Sequence, residues 1–458
     1  MRTLYLEQAL LPDGWASNVE IDVDGCGDIA AIRTDVTDSQ VERVSGVALA
    51  GMPNLHSHAH QRAMVGLAEK AGASNDSFWT WREAMYRYLG TLQPDQLQAI
   101  SAQLYVEMLK FGYTNVAEFQ YLHHDLDGNP YPNRAEMTLR CLQAAKDSGI
   151  GITLLPVLYR YAGFGGQEPV PGQRRFLNDA EQFLEIVREL QKVTAEDANA
   201  VVGIAPHSLR AVTPELLKEV LAGFSSLSEG KGPVHIHIAE QVPEVEGCLE
   251  WSGKRPVEWL LDNFSVDQRW CLIHATHLSS EEISRLANSG AVVGICPTTE
   301  ANLGDGIFPT SSFLKQGGHF GIGSDSQVSI SPAEELRWLE YAQRLTSNGR
   351  NVLAAGAGAS TGRTLFDAAL AGGAQACGRA IGQLEVGCRA DIVILDTEHP
   401  RLMGRQGDDI LDSWIFGCDS NPVRDVFVGG KLVVANGKHF DELRIEENFK
   451  TVVSELMN

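Results

Sequence analysis

Apolar and polar positions change rhythm twice along this chain. Over residues 1–50, short runs at 3–9, 18–23, 29–33 and 47–50 are separated by Asp-Gly and other Gly-containing turns, the pattern of strands joined by tight turns. From residue 51 the texture differs. Apolar runs of strand length fall at 47–55, 114–120, 152–158, 201–205, 234–238, 270–274, 291–296 and 318–323. Between them, segments 95–111, 136–148, 178–194, 213–227, 256–263, 280–288 and 332–345 carry apolar residues at helical spacing. Strand-length runs alternating with helical returns are the mark of βα units on a parallel sheet. Eight of them predict an α/β protein built on a (β/α)8 TIM-like barrel. An open doubly wound sheet is the competing arrangement, and no Gly-x-Gly-x-x-Gly follows a strand to support it.

Beyond about residue 380 the strand-and-turn texture returns, at 382–385, 390–396, 423–428 and 431–435. Val428-Gly429-Gly430-Lys431 reads as a two-residue hairpin turn. The two β-rich ends are expected to meet in a small discontinuous β-sandwich domain, 1–50 with 380–440. It would flank a barrel over 51–379, with a C-terminal helix over 441–458. The Ala/Gly-rich stretch 354–362 reads as a loop or the approach to a helix.

The chain has 458 residues, a length suited to one large domain and one smaller one. Its net charge of −22 argues against nucleic acid and anionic membrane surfaces as partners, because phosphates are repelled. A local group of Arg can still receive a small anion. The eight cysteines are scattered without a Cys-x-x-Cys, as expected of reduced thiols in the cytosol. The start Met-Arg-Thr-Leu-Tyr-Leu-Glu carries an acidic residue and lacks a long apolar stretch, so no signal peptide is expected. No run approaches the ~20 apolar residues of a membrane span. A cytoplasmic protein is expected.

Candidate chemistry lies at the ends of the apolar runs. His56-Ser57-His58 ends the first, and His237-Ile238-Ala239-Glu240, His274 and Asp325 follow in order near the ends of later ones. Side chains two apart on a strand share a face, so His56 and His58 form a workable chelate for a nitrogen-loving divalent metal such as zinc. His235 and His237 also share a face, so His235 competes as a ligand on periodicity alone. One rim of a parallel barrel, at the C-terminal strand ends, is where such groups gather.

In this order His56, His58, His237, Glu240, His274 and Asp325 resemble the amidohydrolase superfamily, in particular its mononuclear metal-dependent deaminases. Pro53-Asn54-Leu55-His56-Ser57-His58, His235 to Glu240, Cys296 to Gly304 and Gly387 to Leu395 look like landmarks of that family, so the resemblance covers nearly the whole chain. It implies metal ligation by His56, His58, His237 and Asp325 around one divalent ion per chain, zinc. It also implies that Asp325 and His274 take the water proton and orient the nucleophile, while Glu240 moves a proton onto the departing nitrogen. Binuclear relatives place a carboxylated lysine after the fourth strand. Here Gly203 to Arg210 contains none, which points to one metal.

Within the superfamily the sequence is most similar to deiminases of N-formimino-L-glutamate, through His60-Gln61-Arg62, Phe78 to Arg82, Glu118 to His124, Pro206 to Arg210 and Thr298 to Gly304. The implied reaction gives N-formyl-L-glutamate and ammonia, a step of histidine degradation. A substrate with two carboxylates needs cationic and neutral donors, and Gln61, Arg82, Tyr121, His207 and Arg210 follow barrel strands. Four of them have a bland alternative: Arg82 a cation–π or ion-pair role, Arg210 a structural one, Tyr121 rim packing, Gln61 loop orientation. His60, His123, His124 and His277 are expected to be polar loop or strand-end residues. Expected partners are a small anionic amino-acid-derived substrate and a second copy in a homodimer. The competing functions are a deaminase of a purine, pterin or triazine, and a silent barrel serving as a binding module.

Overall fold

The computed structural model describes residues 2–69 and 78–457. Eight parallel strands form the barrel: Met52–Ser57, Tyr113–Gln120, Gly151–Leu158, Ala200–Val202 continued by Ala205–Pro206, Val234–Ile238, Trp270–His274, Val292–Ile295 and His319–Ile322. They hydrogen-bond as two sheets. Parallel bridges from Ile204 to Val234 and from Ser208 to His237 join the fourth strand to the fifth. A parallel bridge from Ser57 to Asp325 joins the end of the eighth to the first. The strands read as nearly continuous buried runs, as expected where a parallel sheet is covered on both faces.

The helical returns stand close to their predicted limits. Two predicted starts included the capping residue: Asp179 accepts from the Gln182 amide and Thr213 from the Leu216 amide, so the helices are Ala180–Thr194 and Pro214–Leu227. Helices Phe78–Leu89, Val242–Ser252, Pro297–Leu303, Thr361–Cys377 and Asp409–Gly417 were not in the predicted pattern.

The run 47–55 is two strands on two sheets. Arg43–Ala50 belongs to the sheet of the chain ends and Met52–Ser57 to the barrel. Gly51 marks the step: a Cβ there would lie 2.1 Å from Thr114 Oγ1, at the start of the second barrel strand. The strands of both chain ends lie on one hydrogen-bonded path of eight, in which Arg43–Ala50 pairs with Arg2–Leu11 on one side and Ile392–Leu395 on the other. Val428 pairs with Lys431 across the predicted hairpin. The run 382–385 forms no strand. Helix Thr361–Cys377 packs against the eighth and first barrel strands. It does so through Gly372, where a Cβ would meet the Phe320 carbonyl oxygen at 1.9 Å.

Candidate active site

The C-terminal strand ends bring the predicted chemistry to one rim. His56 is the penultimate residue of the first strand and His58 the residue just after it. His237 is the fourth residue of the fifth strand, and His274 closes the sixth. Glu240 and Asp325 follow the fifth and eighth. His274 and Asp325 have φ of +67° and +47°, and Ala239, beside Glu240, has +50°. Left-handed backbone at non-glycine residues is costly and persists where surrounding contacts impose it, as it often does at functional sites. Here the Asp325 amide donates to the His56 carbonyl at 3.0 Å, and the His58 amide donates to the Asp325 carbonyl at 3.1 Å.

The side-chain atoms converge. Nε2 of His56 and of His237 are 3.0 Å apart. Asp325 Oδ1 lies 3.5 Å from His56 Nε2 and 3.4 Å from His58 Nε2. Ligands at about 2.0–2.1 Å from a tetrahedral zinc sit roughly 3.3 Å from one another, so the spacing fits one such ion. His58 Nδ1 lies 3.0 Å from the Phe119 carbonyl and His237 Nδ1 3.1 Å from that of His207. With the proton on Nδ1, each imidazole presents a bare Nε2 to the centre. Burial pushes His56 down to about 3 and lowers His58 and His237, keeping these rings in the neutral form that ligates. Burial alone would raise Asp325, but hydrogen bonding and charge from the surrounding His56, His274 and His58 hold it well below the usual carboxylate range. The donor set fits a divalent metal.

His235 stands one pleat deeper with Nε2 on the Ala376 carbonyl at 2.8 Å. His60 meets the Tyr121 hydroxyl, while His123, His124 and His277 meet the carbonyls of Val157, Leu177 and Asp305.

His274 is the odd imidazole. Burial disfavours its charge, but Glu240, Glu300 and Asp325 around it push it up to about 10. Its Nε2 lies 3.7 Å from Glu240 Oε1 and 3.8 Å from Asp325 Oδ2, and its Nδ1 lies 3.2 Å from Glu300 Oε1. Burial raises the Glu240 carboxyl to about 7. A buried acid near neutrality beside a charged imidazole suits proton transfer.

One pocket is lined by His58, His237, Glu240, His274 and Asp325 together with Gln61, Arg82, Tyr121, His207 and Arg210. His56 lies wholly buried beneath it. The Tyr121 hydroxyl takes a hydrogen bond from Gln61 Nε2 at 3.3 Å. Arg82 lies over the Tyr86 ring, 5.5 Å from its centroid, and also lines the pocket. Burial and the nearby Arg210 keep His207 neutral. The side chains of Phe78, Trp79 and Thr80, part of the same sequence motif, lie outside the described residues.

Buried carboxylates around this rim include Glu118, Glu300 and Glu244, to which the sequence assigns no role. Glu118 accepts from Ser57 Oγ and the Ala59 amide, both at 2.8 Å, and so holds the turn after His58. Glu300 accepts from the Cys296 amide at 2.9 Å while facing His274. Glu244 accepts from the Glu240 amide at 3.1 Å. Glu118 and Glu300 sit within quoted motifs, and Glu244 is one helical turn after Glu240. Their burial was the missing signal.

Residues 47–433 match the amidohydrolase family, and residues 1–43 match a family described as the N-terminal domain of formimidoylglutamate deiminase HutF. A formimidoylglutamate deiminase of Pseudomonas aeruginosa is 55% identical over the full length of both chains. The crystal structure of an amidohydrolase from Brucella melitensis superposes over the whole of both chains with a TM-score of 0.94 and 51% identity. A zinc-bound adenosine deaminase from Xanthomonas campestris shares the fold at TM-score 0.81 and 20% identity, over 99% of this chain and 98% of that one.

Proposed function

The chain belongs to the amidohydrolase family, and on that footing we propose that it hydrolyses N-formimino-L-glutamate to N-formyl-L-glutamate and ammonia, a step of histidine degradation. The observation that carries the reading is that Arg82 and Arg210 line the same pocket as the converging metal donors. A substrate with two carboxylates and a hydrolysable amidine suits that combination. Guanidinium groups bind carboxylates through paired, charge-assisted hydrogen bonds.

In this reading His56, His58, His237 and Asp325 hold one divalent ion, zinc. When bound, the ion lowers the pKa of water from about 15.7 toward about 7, so that hydroxide is available at neutral pH. The Asp325 carboxylate takes the water proton. His274, with Nδ1 3.2 Å from Glu300 Oε1 and Nε2 3.8 Å from Asp325 Oδ2, orients the nucleophile. Arg82, Arg210, Gln61, Tyr121 and His207 bind and orient the substrate.

The formimino group enters as an amidinium. A carbon–oxygen bond forms at its carbon, giving a tetrahedral adduct. Glu240 passes its proton to the amino nitrogen, the carbon–nitrogen bond breaks and ammonia leaves. The adduct's hydroxyl proton returns to Glu240 as the formyl C=O forms, and the proton held by Asp325 leaves with ammonia as ammonium, which restores both carboxyl groups.

Ammonia release across formimino-glutamate, formimino-aspartate, guanine, adenosine and cytosine tests the assignment. Turnover is expected with formimino-glutamate above all others. Release from a purine or cytosine alone replaces the substrate while leaving the metal chemistry in place. Arg82→Met and Arg210→Met are each expected to lower kcat/KM at least about tenfold with metal content intact, since a charged hydrogen bond contributes about 1.5–3 kcal/mol. Normal kcat/KM in both variants would make the two Arg structural.

A further inference from the structure

Glu244 takes no part in the steps above, yet its carboxylate lies wholly buried against two groups that do. It stands in the first turn of helix Val242–Ser252. One oxygen accepts the Glu240 amide proton at 3.1 Å. The other lies 4.0 Å from Arg210 Nε. Arg210 follows the fourth barrel strand and Glu240 the fifth, so this single carboxylate spans two adjacent loops of the rim.

A plain helix-capping role accounts for half of this. An acid near a helix start often reaches back to a backbone amide just ahead of it. Capping does not account for the oxygen turned to the guanidinium. A buried guanidinium in the substrate-free enzyme needs a counter-charge, and removing one partner of a buried pair leaves the other uncompensated. A carboxylate on the Nε side also restricts the plane of the guanidinium, and that plane decides whether a second carboxylate is met by two donors or by one.

We propose that Glu244 is a positioning residue that sets Arg210 for one substrate carboxylate and Glu240 for proton transfer, anchoring recognition and chemistry on one side chain. The proposal rests on the dicarboxylate reading above. It predicts that the cost of losing Glu244 depends on the substrate. With metal-loaded enzyme and formimino-glutamate, Glu244→Gln lowers kcat/KM about tenfold or more, the scale of one charged hydrogen bond. With the two mono-amide analogues, neutral at the α- or the γ-carboxyl, that penalty shrinks several-fold for one of them. The same analogue is the one on which Arg210→Met costs least. The Gln amide oxygen can still accept from the Glu240 amide, so combining Glu244→Gln with Arg210→Met adds little to Arg210→Met alone.

Glu244→Asp provides a second variant. It keeps the charge but withdraws it by one methylene from both the Glu240 amide and Arg210, so a loss common to all substrates is expected together with the same substrate dependence. Thermal melting and metal content of each variant show whether the protein is folded and loaded. A penalty equal on all three substrates in either folded variant, or full additivity with Arg210→Met, overturns the proposal and leaves Glu244 a helix cap. Absence of wild-type turnover of formimino-glutamate is a different outcome: it removes the substrate assignment and this proposal with it.

Discussion

Glu240→Gln is expected to keep its metal and lose about 10²–10⁴-fold of kcat, the usual contribution of a positioned acid–base group. Glu240 lies beyond the converging ligand atoms, with Oε1 3.7 Å from His274 Nε2. The amide preserves shape and hydrogen bonding but cannot hand a proton to the leaving nitrogen. The pH dependence supplies the sign. Burial raises the Glu240 carboxyl to about 7, so the acid form needed when ammonia departs declines above that pH. In the wild type kcat should therefore fall on the alkaline side, approaching tenfold per pH unit, and the residual turnover of Glu240→Gln should lack that limb. Steady-state rates between pH 6 and 9, roughly a unit or two on either side of neutrality, with parallel metal analysis, provide the measurement. Near-normal kcat in the variant would remove Glu240 from the mechanism.

The parts of this molecule that were legible in the sequence were those encoded by local pattern. Strands Val234–Ile238 and Trp270–His274 coincide with the runs read for them, and every residue of both is buried, His235, His237 and His274 included. The run 47–55 hid a change of sheet, because Ala50 and Met52 are both buried and only the close approach of Gly51 to Thr114 marks the step. Helix Thr361–Cys377 was obscured by Gly372 and Gly373, which lower helix propensity but are what lets the helix lie against the eighth strand. The order of His56, His58, His237 and Asp325 along the chain was readable, and the structure brings their side chains together. The carboxylates that support them were not readable. Glu118, Glu244 and Glu300 look like ordinary polar residues until the fold buries them, and Glu300 meets His274 only because the sixth and seventh strands are neighbours.

His237→Ala is expected to weaken metal binding well beyond the roughly 10–100-fold typical of losing a supporting partner, and to abolish turnover with it. The wild type should hold one ion per chain after dialysis against a mild chelator, measured by elemental analysis, with zinc the ion retained. His237 Nε2 is 3.0 Å from His56 Nε2, so its removal takes away one of the four converging donor groups and opens that side of the set to solvent. His235→Ala is the decisive companion, since strand periodicity offered both residues. His235 gives its Nε2 to the Ala376 carbonyl beneath the rim. Its loss should cost about 1–3 kcal/mol of stability through the orphaned carbonyl, together with a cavity term, while leaving the ion in place. Full occupancy in His237→Ala with loss in His235→Ala would exchange the two roles. Two ions per active chain would overturn the mononuclear reading, to which a Gly203 to Arg210 segment with no lysine to bridge a second metal points.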